Sequence, residues 1–128
     1  MSGICLGVAF SVTLATIPAT AITLSWSHSV EHIRWEEDYS LRDGKLVITA
    51  ARVRGNGAGM EPGTDAVRHG DAWEYHPDIG ALAKITLANS EFTPDYTLCV
   101  EGRCRLLNTL LGAAYRNQPI EIFPCPIN

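Results

Sequence analysis

The chain has 128 residues and a formal net charge of −4 at pH 7. This length suits one domain and leaves no room for a second. The acidic surplus, with its lysines and arginines scattered along the chain, argues against nucleic acid and anionic membrane surfaces as partners, since both attract basic proteins.

Residues 1–21 contain no charged side chain and are mostly apolar. They end in Ala19-Thr20-Ala21, a small-x-small pattern typical of signal-peptidase sites. We therefore predict a signal peptide over 1–21 and a single domain over 22–128. The alternative is a retained N-terminal anchor, because about 20 apolar residues span a bilayer. Both place the domain outside the cytoplasm, in the periplasm or at the outer face of the cytoplasmic membrane.

Residues 22–54 alternate between apolar and polar side chains, which predicts three half-buried antiparallel strands. Asp43-Gly44 predicts a two-residue hairpin turn, because both positions of a type I′ turn need positive φ. Glu31-His32 is a weaker signal for the first turn. The second pairing register is therefore the firmer of the two.

Glu37 stands in the apolar phase of the central strand and is predicted to point inward. The two turns set Trp26 opposite Glu37, His28 opposite Trp35, and Trp35 beside Arg52. His28 and Arg52 would then both lie diagonal to the Glu37 carboxylate. One interpretation is an ion network that fixes the register of the strands. The other is a binding site between the tryptophans, in which Arg52 or His28 meets an anion.

A metal site built from His28, Glu31, His32 and Glu36 is a further possibility. Their spacing suits one face of a helix, whereas this stretch is predicted to be strand and turn. A zinc site also needs three or four converging ligands. We therefore predict no metal.

The glycine-rich residues 55–63 predict a loop with wide backbone freedom. The loop lacks the Gly-Lys-Ser/Thr ending of a phosphate-binding loop. Met60 at its centre is a flexible apolar side chain suited to an adaptable interface. The sequence leaves open whether this is a contact loop or an ordinary surface loop.

The second half of the chain contains further short alternating stretches and one more hairpin signal at Glu101-Gly102. A two-residue turn there sets Cys99 opposite Cys104, close enough for a disulfide. After cleavage Cys125 would be left unpaired or would pair between chains. In sum, about seven short strands predict an all-β fold, a small antiparallel β-sandwich or barrel.

Nothing in the sequence indicates catalysis. The Gly-x-Ser-x-Gly motif of hydrolases is absent. The serines next to His28 would point to the opposite face of a strand. We therefore predict a protein that is not an enzyme and that binds no cofactor.

Several stretches occur in the same order as in one bacterial family and cover nearly the whole of residues 22–128. They are Trp26-x-His28-Ser29-Val30-Glu31, Trp35-Glu36-Glu37-x-Tyr39, Gly57-Ala58-Gly59-Met60, Leu87-Ala88-Asn89-Ser90 and Asp95-Tyr96-Thr97-Leu98-Cys99-Val100-x-Gly102-x-Cys104. On these motifs the chain resembles the domain-of-unknown-function family numbered 1850 (DUF1850).

The resemblance implies a small exported protein associated with a tripartite (TRAP) transporter whose solute-binding subunit is of the TAXI class. It implies an accessory that contacts a transporter component or the solute-binding protein. The apolar N-terminal segment, if retained, would bring the domain close to the membrane. It carries over no activity, catalytic residue or cofactor. A periplasmic module that binds a small carboxylate is the alternative. The candidate binding residues are His28, Glu31, Trp35, Glu36, Glu37, Tyr39, Arg52 and Met60.

Overall fold

A computed structural model describes residues 2–9, 12–27, 33–54, 66–92 and 94–127. The all-β fold is confirmed: these residues form twelve strands, one short helix and one 3-10 turn. The elements are β1 (Ser2–Val8), β2 (Val12–Ile17), β3 (Ala21–Ser27), β4 (Arg34–Arg42), β5 (Lys45–Arg54), β6 (Val67–His69), β7 (Ala72–Tyr75), β8 (Ala81–Leu82), β9 (Ile85–Leu87), β10 (Thr97–Val100), β11 (Arg103–Leu106), α1 (Leu107–Leu111), the 3-10 turn (Ala113–Tyr115) and β12 (Ile120–Pro126).

The strand number exceeds the expected seven. The N-terminal segment contributes β1 and β2, and the region after the glycine-rich stretch contributes the very short strands β6 and β8. Strands of two or three residues contain too little alternation to be recognised from sequence.

The strands form two antiparallel sheets. The smaller has the order β2-β1-β12-β9, and the larger has the order β11-β10-β3-β4-β5-β7-β6, with β8 pairing to β5. Both sheets contribute side chains to one buried cluster, including Ile4 and Ile122 from the smaller sheet and Leu24, Leu46 and Leu98 from the larger. This shared core holds the two sheets together, since burying apolar surface contributes about 25 cal/mol per Å².

The charge-free N-terminal segment lies inside this architecture. β1 is an interior strand of the smaller sheet, and its Ile4 and Leu6 are fully buried. Within the described ranges no helix is long and apolar enough to cross a membrane. Cleavage after Ala21 stays a prediction. It would remove these core residues, and the intact mass of the protein from the cell envelope tests it.

The cysteines form two disulfides. Cys99–Cys104 is confirmed, with the Cα atoms 4.0 Å apart across the β10–β11 hairpin. Cys125 was expected to stay unpaired or to pair between chains, and in this structure it pairs with Cys5 instead. The expectation counted only residues after Ala21, whereas β1 and β12 are adjacent strands that set Cys5 next to Cys125.

Both predicted hairpin turns after β4 and β10 have the required backbone. Asp43 and Gly44 have φ of 52° and 75°, and Glu101 and Gly102 have φ of 52° and 81°. Positive φ at two successive positions is the signature of the type I′ turn that matches strand twist.

We expect the two disulfides to contribute unequally to stability. In the chain-entropy model a sequence separation of 120 residues for Cys5–Cys125 gives about 5 kcal/mol, and a separation of 5 for Cys99–Cys104 gives about 2 kcal/mol. Urea unfolding of the paired Cys→Ser variants measures both. Equal losses of unfolding free energy in the two variants would show that the Cys5–Cys125 cross-link does not restrict the unfolded chain as expected.

Candidate functional site

A β-bulge in the central hairpin decides which residues share a face. Next to the turn, Tyr39 pairs with Ile48 in the predicted register. Between Tyr39 and Asp38 the register shifts by one residue, so Asp38 pairs with Ala50 and Thr49 is the extra residue. Beyond the bulge every side chain of β5 therefore faces the opposite side from the predicted one.

Arg52 consequently lies on the outer face of the large sheet, and the predicted pair with Glu37 is wrong. Its guanidinium makes a bidentate contact with Asp38, with N···O distances of 2.7 and 2.8 Å. The same group lies 3.3 Å from a carboxylate oxygen of Glu74 and 3.6 Å from one of Glu36. Four strands thus contribute to one network, since Thr23 also donates a hydrogen bond to Asp38 at 2.7 Å.

The network continues through Arg54, which contacts Glu36 at 2.5 Å and Asp71 at 3.1 Å. The Arg52 hydrogen bond lowers the pKa of the Asp38 carboxyl below its usual range. Hydrogen bonding to Asp38 also raises the pKa of the Arg52 guanidinium. A shallow groove of about 490 Å³ runs beside these groups, but the Arg52 donors are already bound to carboxylates. The described charged groups of Arg52, Arg54 and their carboxylate partners therefore form one ion network on the outer face.

Glu37 lies on the other, core-facing side, as its phase predicted. It pairs with Leu24 on β3 and Ala51 on β5, which are both 1% exposed, and Trp35 and Tyr39 flank it along β4. The predicted pairing of Trp26 with Glu37 is wrong by two residues, because Trp26 pairs with Trp35. A two-residue shift leaves each side chain on its predicted face.

The Glu37 carboxylate has one hydrogen bond among the described residues, accepted from the Tyr39 hydroxyl at 3.0 Å. No described cation pairs with it. No fully buried side-chain oxygen in the described ranges lacks a partner, so the second oxygen of Glu37 is not fully buried. Burial raises the pKa of Glu37, partly opposed by the Tyr39 hydrogen bond.

Aromatic rings surround this carboxylate. Trp26 and Trp35 stack with ring centroids 6.4 Å apart and planes 6° apart, and Tyr96 lies 5.9 Å from Trp26. Tyr75 follows Ala51 in the same row across the sheet. Burial raises the pKa of the Tyr75 and Tyr96 hydroxyls, and the negative charge of Glu37 contributes to both shifts.

This arrangement suits a positive charge. A carboxylate offers an ionic partner, and the faces of Trp and Tyr rings attract cations through their quadrupoles. The predicted anion site between the tryptophans is not assembled from the described residues, because its Arg52 lies on the opposite face of the sheet. We call the group of Trp26, Trp35, Glu37, Tyr75 and Tyr96 the Glu37 patch.

The structure divides the predicted site residues. Trp35, Glu37 and Tyr39 lie together on the core-facing side, whereas Glu36 and Arg52 lie on the outer face. His28, Glu31 and Met60 lie outside the described residues. Three or more metal-ligating side chains do not converge anywhere in the described ranges.

Sequence reasoning missed Tyr75 and Tyr96 as members of the site. Tyr75 lies in one of the short alternating stretches of the second half of the chain, and alternation does not identify the strand that pairs with it. Tyr96 immediately precedes β10, which pairs with β3, and only that long-range pairing places its ring beside Trp26.

The comparisons with known proteins give one result. A family model described as "Domain of unknown function (DUF1850)" matches residues 22–107. The chain belongs to this family. The DUF1850 match contains the entire Glu37 patch and the seven strands of the ordered path in the large sheet, except for Ala21 at the start of β3. No curated protein and no solved structure matches the chain.

We expect Asp38 and Glu37 to affect stability in opposite directions. The lowered pKa of Asp38 means that its contribution is present at neutral pH and lost as the pH falls through the folded-state value, below 3.8. The raised pKa of Glu37 means that its ionisation costs stability as the pH rises above 4.5. At pH 7, Asp38→Asn should lower the free energy of unfolding by about 1 kcal/mol, the scale of partly exposed ion pairs.

Glu37→Gln should unfold at pH 7 with a free energy equal to or higher than that of the wild type, because it removes a half-buried charge and keeps an acceptor for Tyr39. Urea titrations at pH 4 and pH 7 measure both variants. Marked destabilisation by Glu37→Gln at pH 7 would assign the carboxylate to the structural framework instead.

Proposed function

We propose that this DUF1850 chain is a non-catalytic accessory protein that acts outside the cytoplasm, in the periplasm or at the outer face of the cytoplasmic membrane. Its partner is a protein component of a TRAP-type uptake system with a TAXI-class solute-binding subunit. The family resemblance supports the partner. Two disulfides support the compartment, since they persist in oxidising environments and are rare in the cytosol.

The Glu37 patch is the observation that carries this proposal. The acidic residues of the outer-face network are paired with arginines, whereas Glu37 has no described cation beside it and retains an oxygen that is not fully buried. A carboxylate held at the edge of a core costs stability, as its raised pKa indicates. Sites that sacrifice stability in this way are typical of functional surfaces.

The partner group that fits is a lysine or arginine side chain. It would pair with Glu37 and lie against the rings of Trp26 and Trp35. Cation–π contacts contribute about 0.5–2 kcal/mol, depending on how far the contact is desolvated. Interfacial charge pairs at such positions govern specificity and dissociation. Tryptophan and tyrosine are also the residues most enriched among interface hot spots.

The alternative of a small-carboxylate binding module loses Arg52, one of the residues that motivated it, at this position. Arg52 is committed to Asp38 and Glu74, and the only charge described within the Glu37 patch is negative. A negative patch repels a carboxylate. At this site the geometry favours a protein partner that presents a cation.

We expect Glu37→Gln to weaken binding to the TAXI-class solute-binding subunit of the same organism at least tenfold, chiefly through faster dissociation. The reason is the loss of the charge that pairs with the partner's cation. Biolayer interferometry with the full chain measures both rates, and thermal melting confirms that the variant is folded.

Glu91→Gln is the matched control, because it removes the same charge from an exposed loop position. It should bind like the wild type. Equal affinity for Glu37→Gln and wild type would contradict the assigned surface. Absence of binding by the wild-type chain would contradict the assigned partner.

A further inference from the structure

A second concave site lies at the edge of the sandwich. It differs from the Glu37 patch in composition and charge. It is a cleft of about 390 Å³ between β2, the edge strand of the smaller sheet, and β11, the edge strand of the larger sheet. Helix α1 follows β11 directly and contributes Leu110 to the lining. Ligand sites usually have volumes of about 300–1,000 Å³.

The interior of this cleft is apolar. Leu98 belongs to the buried core and is 3% exposed, and Val100 is partly buried beside it on the same strand. Ile17 from β2 and Leu110 from α1 are also partly buried against the core. Side chains from both sheets and the helix therefore form a floor for a hydrocarbon chain.

Two arginines stand on the same side of the sheet as this floor. Arg105 pairs with Leu98 and Arg103 pairs with Val100, so all four side chains share one face, while the Cys99–Cys104 disulfide occupies the other. Both arginines line the cleft and are exposed. In the part of the chain that the structure describes, neither guanidinium has an ion pair or a side-chain hydrogen bond.

The charge at the cleft sets the kind of ligand. Glu101 is the one carboxylate among its described lining residues, so the two arginines leave a net charge of +1. Guanidinium groups bind carboxylates in a planar, two-pronged geometry. A ligand with a single carboxylate balances this charge, whereas a hydrophobic chain alone would leave the net positive charge unbalanced.

We propose that this cleft binds an amphipathic monocarboxylate, with its carboxylate between Arg103 and Arg105 and its hydrocarbon chain against Leu98, Val100 and Leu110. The site is independent of the Glu37 patch, which selects positive charge. The cleft and the Glu37 patch share no residue.

Decanoate is the probe, titrated below its micellar concentration into the full chain and followed by calorimetry and by amide chemical shifts. We expect saturable binding, with shifts of the Leu98, Val100 and Leu110 amides, and no such binding of decylamine. Arg103→Gln/Arg105→Gln should bind decanoate at least tenfold more weakly. Arg42→Gln/Lys45→Gln is the matched control, because it removes two exposed positive charges from a different hairpin and should bind like the wild type.

Three results would overturn the proposal. The first is no saturable binding of decanoate by the wild type, or equal binding by the Arg103/Arg105 variant. The second is binding to vesicles that contain phosphatidylglycerol without binding of decanoate, which would assign the arginines to lipid headgroups.

The third is self-association of the Arg103→Gln/Arg105→Gln variant, combined with no binding of decanoate by the wild type. Inward-pointing charges on an edge strand prevent edge-to-edge pairing of sheets. That result would assign Arg103 and Arg105 to this protective role.

Discussion

The bidentate ion pair between Arg52 and Asp38 is the interaction on which both faces of the large sheet depend. It joins β4 to β5 immediately beyond the bulge and fixes the shifted register there. Because the pair forms on the outer face, Arg52 is unavailable to neutralise Glu37 on the inner face. The same contact therefore completes a structural network on one side of the sheet and leaves an isolated carboxylate on the other. A bulge of one residue has this effect because strand side chains alternate with a period of two.

The Glu37 patch and the cleft at β11 have opposite charge but a similar arrangement of charged and apolar groups. In each, a charged group stands beside an apolar surface on the core-facing side of the large sheet, and no described partner neutralises it. The half-buried Glu37 carboxylate costs stability unless it is paired. The arginines of the cleft are exposed, so they remain available to a ligand without such a cost. The disulfide Cys99–Cys104 and the neighbouring turn hold the β10–β11 hairpin that carries the cleft's arginines.

The N-terminal segment connects the question of processing to the fold. β1 separates β2 from β12 in the smaller sheet, and Ile4 and Leu6 fill the core opposite the large sheet. A chain that keeps this segment has a closed core and a paired Cys125. The wall of the β11 cleft formed by β2 exists only in that chain. The length of the mature protein thus determines whether the β2 wall of the proposed binding cleft is present.

The sequence by itself determined the elements whose signals are local. Alternation identified the three strands of residues 22–54, and Asp43-Gly44 predicted the turn between the last two. The same reasoning placed Cys99 opposite Cys104. Turns and alternation involve only neighbours in the chain, so the residues that specify them are adjacent in the sequence. The inward direction of Glu37 also followed from its phase alone.

Only the tertiary structure decided that Arg52 pairs with Asp38 and not with Glu37, that Cys125 pairs with Cys5, and that Tyr96 lies beside Trp26. The first depends on a single inserted residue, Thr49, which leaves almost no trace in the alternation. The others depend on which strands become neighbours across the whole chain. That choice is made by competition among all possible pairings to bury one common core, and no short stretch of sequence records its outcome.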